Sequence, residues 1–150
     1  MGLFGFMKVC LSTDMTGRVA ENGVAVSDVK VVRKVIFDFT GKEYVTETVT
    51  DKNGIFHFNA LYTKSVNTFL PSAKMVTQTI TFSSQGKEYL GWHFVKGNYD
   101  YNGELNDLDS SSELVPFELS CDFNNDENFV GITDSPSGSG YTGICRINKK

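Results

Sequence analysis

The feature that most constrains this chain is a two-residue rhythm of apolar and polar side chains, interrupted at short intervals by Gly, Asn and Asp. Val29, Val31, Val35, Phe37 and Phe39 share one parity, broken only by Arg33, while Lys30, Lys34 and Asp38 take the other. Successive side chains of a strand point to opposite faces, so this spacing predicts a strand with one buried face. Tyr44–Thr50 separates Val45 and Val49 from Thr46, Thr48 and Thr50, and in Ile55–Asn59 the residues Phe56 and Phe58 alternate with Ile55 and His57. Met75–Phe82 sets Val76, Ile80 and Phe82 against Thr77, Thr79 and Thr81. Lys87–Val95 sets Leu90, Trp92 and Phe94 against Tyr89, His93 and Val95. Further strands are expected at Leu3–Leu11, from Gly17, at Leu114–Cys121 and at Tyr141–Ile147. Glu21-Asn22-Gly23, Thr40-Gly41-Lys42, Asp51-Lys52-Asn53-Gly54 and Ser83-Ser84-Gln85-Gly86 read as turns. Residues 60–74 are less regular, and Pro71 interrupts any ladder there. No segment carries the apolar stripe of a helix of three turns. The pattern predicts an all-β fold, a single antiparallel β-sandwich.

At 150 residues the chain is read as one domain. Residues 1–14 form an added strand or docking segment, 15–122 the core sandwich, and 123–150 a C-terminal loop and strand. With 14 basic and 18 acidic residues the formal charge is −4, which argues against a nucleic-acid binder needing a basic face. No apolar run approaches the ~20 residues that span a bilayer as a helix. Met1–Cys10 is apolar, but its cation, Lys8, follows the apolar stretch instead of preceding it, so no signal peptide is read and the cytoplasm is the expected compartment. Export by a specialised secretion system is the alternative. Cys10, Cys121 and Cys145 are accordingly expected as reduced thiols packed as small apolar groups, a Cys121–Cys145 bridge being the alternative. No Cys/His cluster points to a metal, and no cofactor is expected.

The first half carries a recognisable motif: Gly17-x-Val19, Asn22-Gly23-x-x-Val26, Val29-x-Val31, then Val49-Thr50-Asp51-x-Asn53-Gly54-x-Phe56-x-Phe58. Over residues 15–60 this resembles the carboxypeptidase regulatory-like or transthyretin-like family. The resemblance implies a transthyretin-like, immunoglobulin-like Greek key and a non-catalytic module for assembly or recognition. The later pattern Gly86-Lys87-x-Tyr89, Trp92 and Ser120-Cys121-Asp122 resembles small bacterial proteins of type VI secretion gene clusters, which implies an accessory or immunity protein.

Residues 97–113 are polar and acidic and are read as an exposed loop. Tyr99 and Tyr101 there are interleaved with Asp100, Glu104, Asp107 and Asp109. Tyrosine gives contact area at low entropic cost and carboxylates steer basic partners, so these six residues form a candidate partner surface for a basic toxin or a secretion component. Asn98, Asp100, Asn102 and Asp109 also fall near the register of a calcium loop, with Asp122, Asn124 and Asp126 a poorer version. A calcium- or carbohydrate-binding adhesion module is therefore the first alternative. His57 and His93 are the two imidazoles available to a hydrolase, the second alternative, but nothing in the spacing selects a nucleophile for either. Both are expected on an outward or half-buried strand face. Ser137-Gly138-Ser139-Gly140 lacks the Lys-Ser/Thr of a phosphate loop and reads as a flexible loop.

Overall fold

The computed structural model describes residues 7–38, 40–65, 75–97, 117–131 and 140–148, and everything below concerns these. The fold is all-β, with no helix among the described residues, and none therefore long and apolar enough to cross a membrane. Thirteen strands follow one another: β1 (Met7–Ser12), β2 (Met15–Glu21), β3 (Val24–Ala25), β4 (Lys30–Phe37), β5 (Lys42–Val49), β6 (Ile55–Phe58) and β7 (Leu61–Ser65), then β8 (Val76–Ser84), β9 (Lys87–Lys96), β10 (Phe117–Asp122), β11 (Phe129–Gly131), β12 (Gly140–Thr142) and β13 (Cys145–Ile147).

These strands make three sheets. One runs β11-β12-β9-β8-β4-β5, a second runs β13-β10-β2-β3 with β6 also on β2, and β1 pairs with β7 alone. The first two sheets bury a common apolar cluster. The second supplies Met15, Val19, Phe56, Phe58, Leu119 and Cys121; the six-stranded sheet supplies Val31, Ile80, Phe82, Trp92, Phe94 and Tyr141. A smaller cluster of Val9, Leu11, Val35, Phe37 and Val76 lies where β1 meets β4 and β8. One pairing departs from the antiparallel expectation: β10 runs parallel to β2, with Phe117 opposite Met15 and Asp122 opposite Ala20.

The turn motif positions β2. Asn22 and Gly23 take φ of 53° and 82°, the left-handed pair that a tight hairpin needs. At Gly54, β2's neighbour changes from β6 to β3, and the Gly54 carbonyl accepts from Val19 N at 2.7 Å. A Cβ at Gly54 would collide with the Val19 carbonyl, so only glycine fits. The Asp51 carboxylate caps the same turn, accepting from Asn53 N at 2.8 Å and Ile55 N at 3.0 Å.

Three expectations are modified, and one left open, the inward face of β5, is decided. The alternation of β5 holds, but its valines point outward: Val45 and Val49 are 53% and 55% exposed, while Thr46 and Thr48 turn inward. On β9, Gly91 is an extra residue between the pairs Ile80–Trp92 and Thr81–Leu90. This bulge reverses parity, so Tyr89 packs on the core and Leu90 leaves the face of Trp92 and Phe94. The segment Tyr141–Ile147 is not one strand; it breaks at Gly143 (φ 131°) into β12 and β13, which join different sheets. Cys121 and Cys145 are not reduced thiols but a disulfide, because the β10–β13 register sets them directly opposite each other. Cys10 lies outside the disulfide and is buried.

Candidate functional site

The six residues read as a partner surface, Tyr99, Asp100, Tyr101, Glu104, Asp107 and Asp109, lie outside the described residues, as do the calcium-loop positions Asn98 and Asn102. The second calcium reading is a different matter. Asp122 accepts from Asn22 N at 3.2 Å, Gly23 N at 3.0 Å and Asn124 N at 2.9 Å, so its carboxylate braces the β2–β3 turn. Burial pushes the Asp122 carboxyl up, but the N–H donors of Asn124, Gly23 and Asn22 together outweigh it, and the group sits below its ordinary value. Asp126 faces Arg146 at 3.6 Å, and Glu127 accepts from Leu90 N at 3.0 Å. Among the described residues, no group of three or more His, Cys, Asp and Glu converges as a metal site would require.

The histidines stand on opposite outer faces of the molecule. His57 on β6 lies across from Thr16, whose hydroxyl is 2.9 Å from Nδ1, and Asn59 Oδ1 is 3.1 Å from Nε2. His93 on β9 lies across from Thr79, with the hydroxyl 3.1 Å from Nδ1. Each imidazole is thus exposed and held by a neutral cross-strand threonine.

The broadest feature is the outer face of the six-stranded sheet. One row of side chains crosses it entirely: Val45, Lys34, Thr79, His93, Thr142 and Phe129. Among the described residues seven large hydrophobic ones are exposed, and five are on this face: Val45, Val49, Val95 and Phe129 by strand parity, and Met75 just before β8, where its carbonyl accepts from Asp38 N. Lys30–Glu47 at 3.6 Å and Lys34–Glu43 at 3.4 Å balance its charge near the β5 edge.

Beneath the face lies a polar diagonal that the sequence reading did not resolve. Arg33, Gln78 and Lys96 are 3%, 1% and 0% exposed, on the inward parity of β4, β8 and β9. All three reach β1: Arg33 donates to Ser12 Oγ at 3.4 Å, Gln78 Nε2 to the Leu11 carbonyl at 3.0 Å, and Lys96 Nζ to the Cys10 carbonyl at 2.7 Å. Arg33 also donates to the Asn59 carbonyl at 2.9 Å and to Thr46 Oγ1 at 3.1 Å, and lies 4.7 Å over the Phe58 ring. Gln78 Oε1 accepts from Trp92 Nε1 at 3.0 Å. The signal was present: each polar residue breaks an otherwise apolar parity.

A family model described as a domain of unknown function, DUF6795, matches residues 15–126. The chain belongs to the DUF6795 family. No curated protein and no solved structure matches it. The DUF6795 match spans β2 through β10, leaving β1 on one side and β11–β13 on the other. The polar diagonal therefore joins the DUF6795 body to β1, and the disulfide joins it to β13.

Proposed function

We propose that this DUF6795 chain is a non-catalytic protein-binding module built as one transthyretin-like β-sandwich with Greek-key connections. The shared cluster between the two larger sheets supports the sandwich reading. The observation that carries the binding reading is the uneven distribution of exposed apolar side chains, five of seven on one sheet face. Exposed apolar side chains gathered on one face and interspersed with polar and charged ones are the composition a protein interface presents before its partner arrives. The finer reading is an accessory or immunity protein of a bacterial type VI secretion system, supported by the resemblance over Gly86–Asp122.

The test is co-expression with the product of the adjacent gene, followed by titration calorimetry. A stoichiometric complex that the double variant Val95→Ser/Phe129→Ser weakens by about tenfold or more fits the loss of two interface anchors. An affinity indifferent to both substitutions, with the fold intact by circular dichroism, would remove this face from the function.

A further inference from the structure

We propose that β5 is a homotypic docking edge: two copies of the chain pair their β5 strands antiparallel about a two-fold axis through Thr46, so that their six-stranded sheets become continuous. This uses the edge of the sheet, not its outer face, and stands independently of the partner proposed above.

Four observations carry it. β5 is eight residues long and pairs with β4 along its whole length without a register shift. Among the described residues no strand occupies its other side. Long regular edges are ordinarily blunted by Pro, a bulge, an inward charge or a repelling charge row. β5 has no Pro and no bulge, and along its inward parity Tyr44, Thr46 and Thr48 are uncharged, the one charge being Lys42 at its first position, over the Tyr44 ring. Its outward glutamates each have a β4 lysine beside them, Glu43 with Lys34 at 3.4 Å and Glu47 with Lys30 at 3.6 Å. The edge as a whole therefore carries no unbalanced charge row, and repulsion arises only where two glutamates are set directly opposite.

The charge pattern selects the occupant and the register. Residues directly opposite in an antiparallel pair share a face, so a two-fold axis must pass through a residue, not between two. With the axis on Thr46, Val45 faces Glu47 of the second copy, Glu43 faces Val49, and Tyr44 faces Thr48. Each half-exposed valine gains a neighbour and no like charges meet. Moving the axis to Val45 sets Glu43 against Glu47, and moving it to Glu47 sets that residue against itself. Both are disfavoured by like-charge repulsion. Axes through Tyr44 or Thr48 also avoid like charges but pair fewer β5 residues, so the Thr46 axis combines the longest ladder with no like-charge contact.

Sedimentation velocity on the full chain over a concentration series, with three variants, tests this. The wild type is expected to dimerise reversibly. Val45→Glu places two new like-charge pairs in the contact and is expected to weaken the dimer about tenfold. Val45→Lys faces Glu47 instead and keeps or tightens it. Thr46→Cys, at the axis, is expected to form a disulfide-linked dimer on mild oxidation. Val45 is exposed, so both of its variants keep the monomer fold, which circular dichroism verifies. A wild type that stays monomeric throughout overturns the proposal. So does equal loss in Val45→Glu and Val45→Lys, or a Thr46→Cys chain that does not cross-link. A monomer that still binds its partner through the sheet face would end this proposal alone.

Discussion

The two segments flanking the family body are fastened to it by different chemistry. The polar attachments of β1 fall mainly on its backbone: Gln78 and Lys96 donate to the carbonyls of Leu11 and Cys10, and Arg33 reaches Ser12 Oγ, while Val9 and Leu11 add apolar packing. The C-terminal segment is held largely through side chains. Cys145 is bonded to Cys121, Tyr141 stacks on Trp92 at 4.4 Å, and Arg146 donates to the Asp126 carbonyl at 3.3 Å and faces its carboxylate at 3.6 Å. The bulge at Gly91 completes that attachment. It leaves Leu90 N to Glu127 and the Leu90 carbonyl to Ile144 N at 2.9 Å. A backbone attachment asks little of the attached sequence beyond burial, whereas a side-chain attachment fixes particular residues.

Substitutions that cut one attachment and spare the other would sharpen this contrast. Trp92→Ala removes the platform under Tyr141 and the donor to Gln78, and is expected to cost about 3–5 kcal/mol in urea unfolding. Cys121→Ser/Cys145→Ser opens a bridge between residues 24 apart in sequence and is expected to cost about 3 kcal/mol. Hydrogen exchange should then accelerate in 140–148 and not in β1; equal acceleration in both would abolish the contrast. Gln78→Leu removes the residue that touches Trp92 and β1 together, leaving the Leu11 carbonyl without that donor, at a cost of about 2 kcal/mol. Its double-mutant cycle with Trp92→Phe should be non-additive, because one hydrogen bond is shared. Strict additivity would show that the two attachments are energetically separate.

The smallest effect concerns the β2–β3 turn. Asp122→Ala is expected to cost about 1 kcal/mol at neutral pH by removing acceptors for the turn's N–H groups. The Asp122 carboxyl titrates below its ordinary value of 3.8 in the folded chain. Its contribution is therefore present above 3.8 and lost as pH falls through the lower folded value. The stability gap between wild type and variant should close in acid; a gap constant down to pH 2 would show that the carboxylate charge plays no part.

Much of the fold was legible because alternation reports burial. Val31, Val35, Phe37, Phe56, Phe58, Ile80 and Phe82 are buried as their parity predicts. Parity alone does not say which face is inward, and β5 shows this. Its threonines face Arg33 and the interior, Thr46 as an acceptor for that guanidinium, and its valines face out. Nor does it foresee a bulge: Gly91 inverts the faces of Tyr89 and Leu90, and the sequence shows only a glycine. The disulfide was hidden because opposition of Cys121 and Cys145 depends on a pairing between strands that no local pattern encodes. Arg33 was visible as an interruption, but its role required knowing that β1 passes over it.

The parallel ladder between β2 and β10 has a kinetic consequence. Met15 and Phe117 are direct partners although 117 − 15 = 102 positions separate them. That half of the interior cannot close until distant parts of the chain meet, whereas β8 and β9 meet across the short turn at Gln85 and Gly86. High sequence separation slows folding through the entropy of loop closure. The β8–β9 hairpin is therefore expected to nucleate and the β2–β10 seam to zip last, leaving Met15, Val19 and Leu119 as the apolar surface an arrested intermediate would expose.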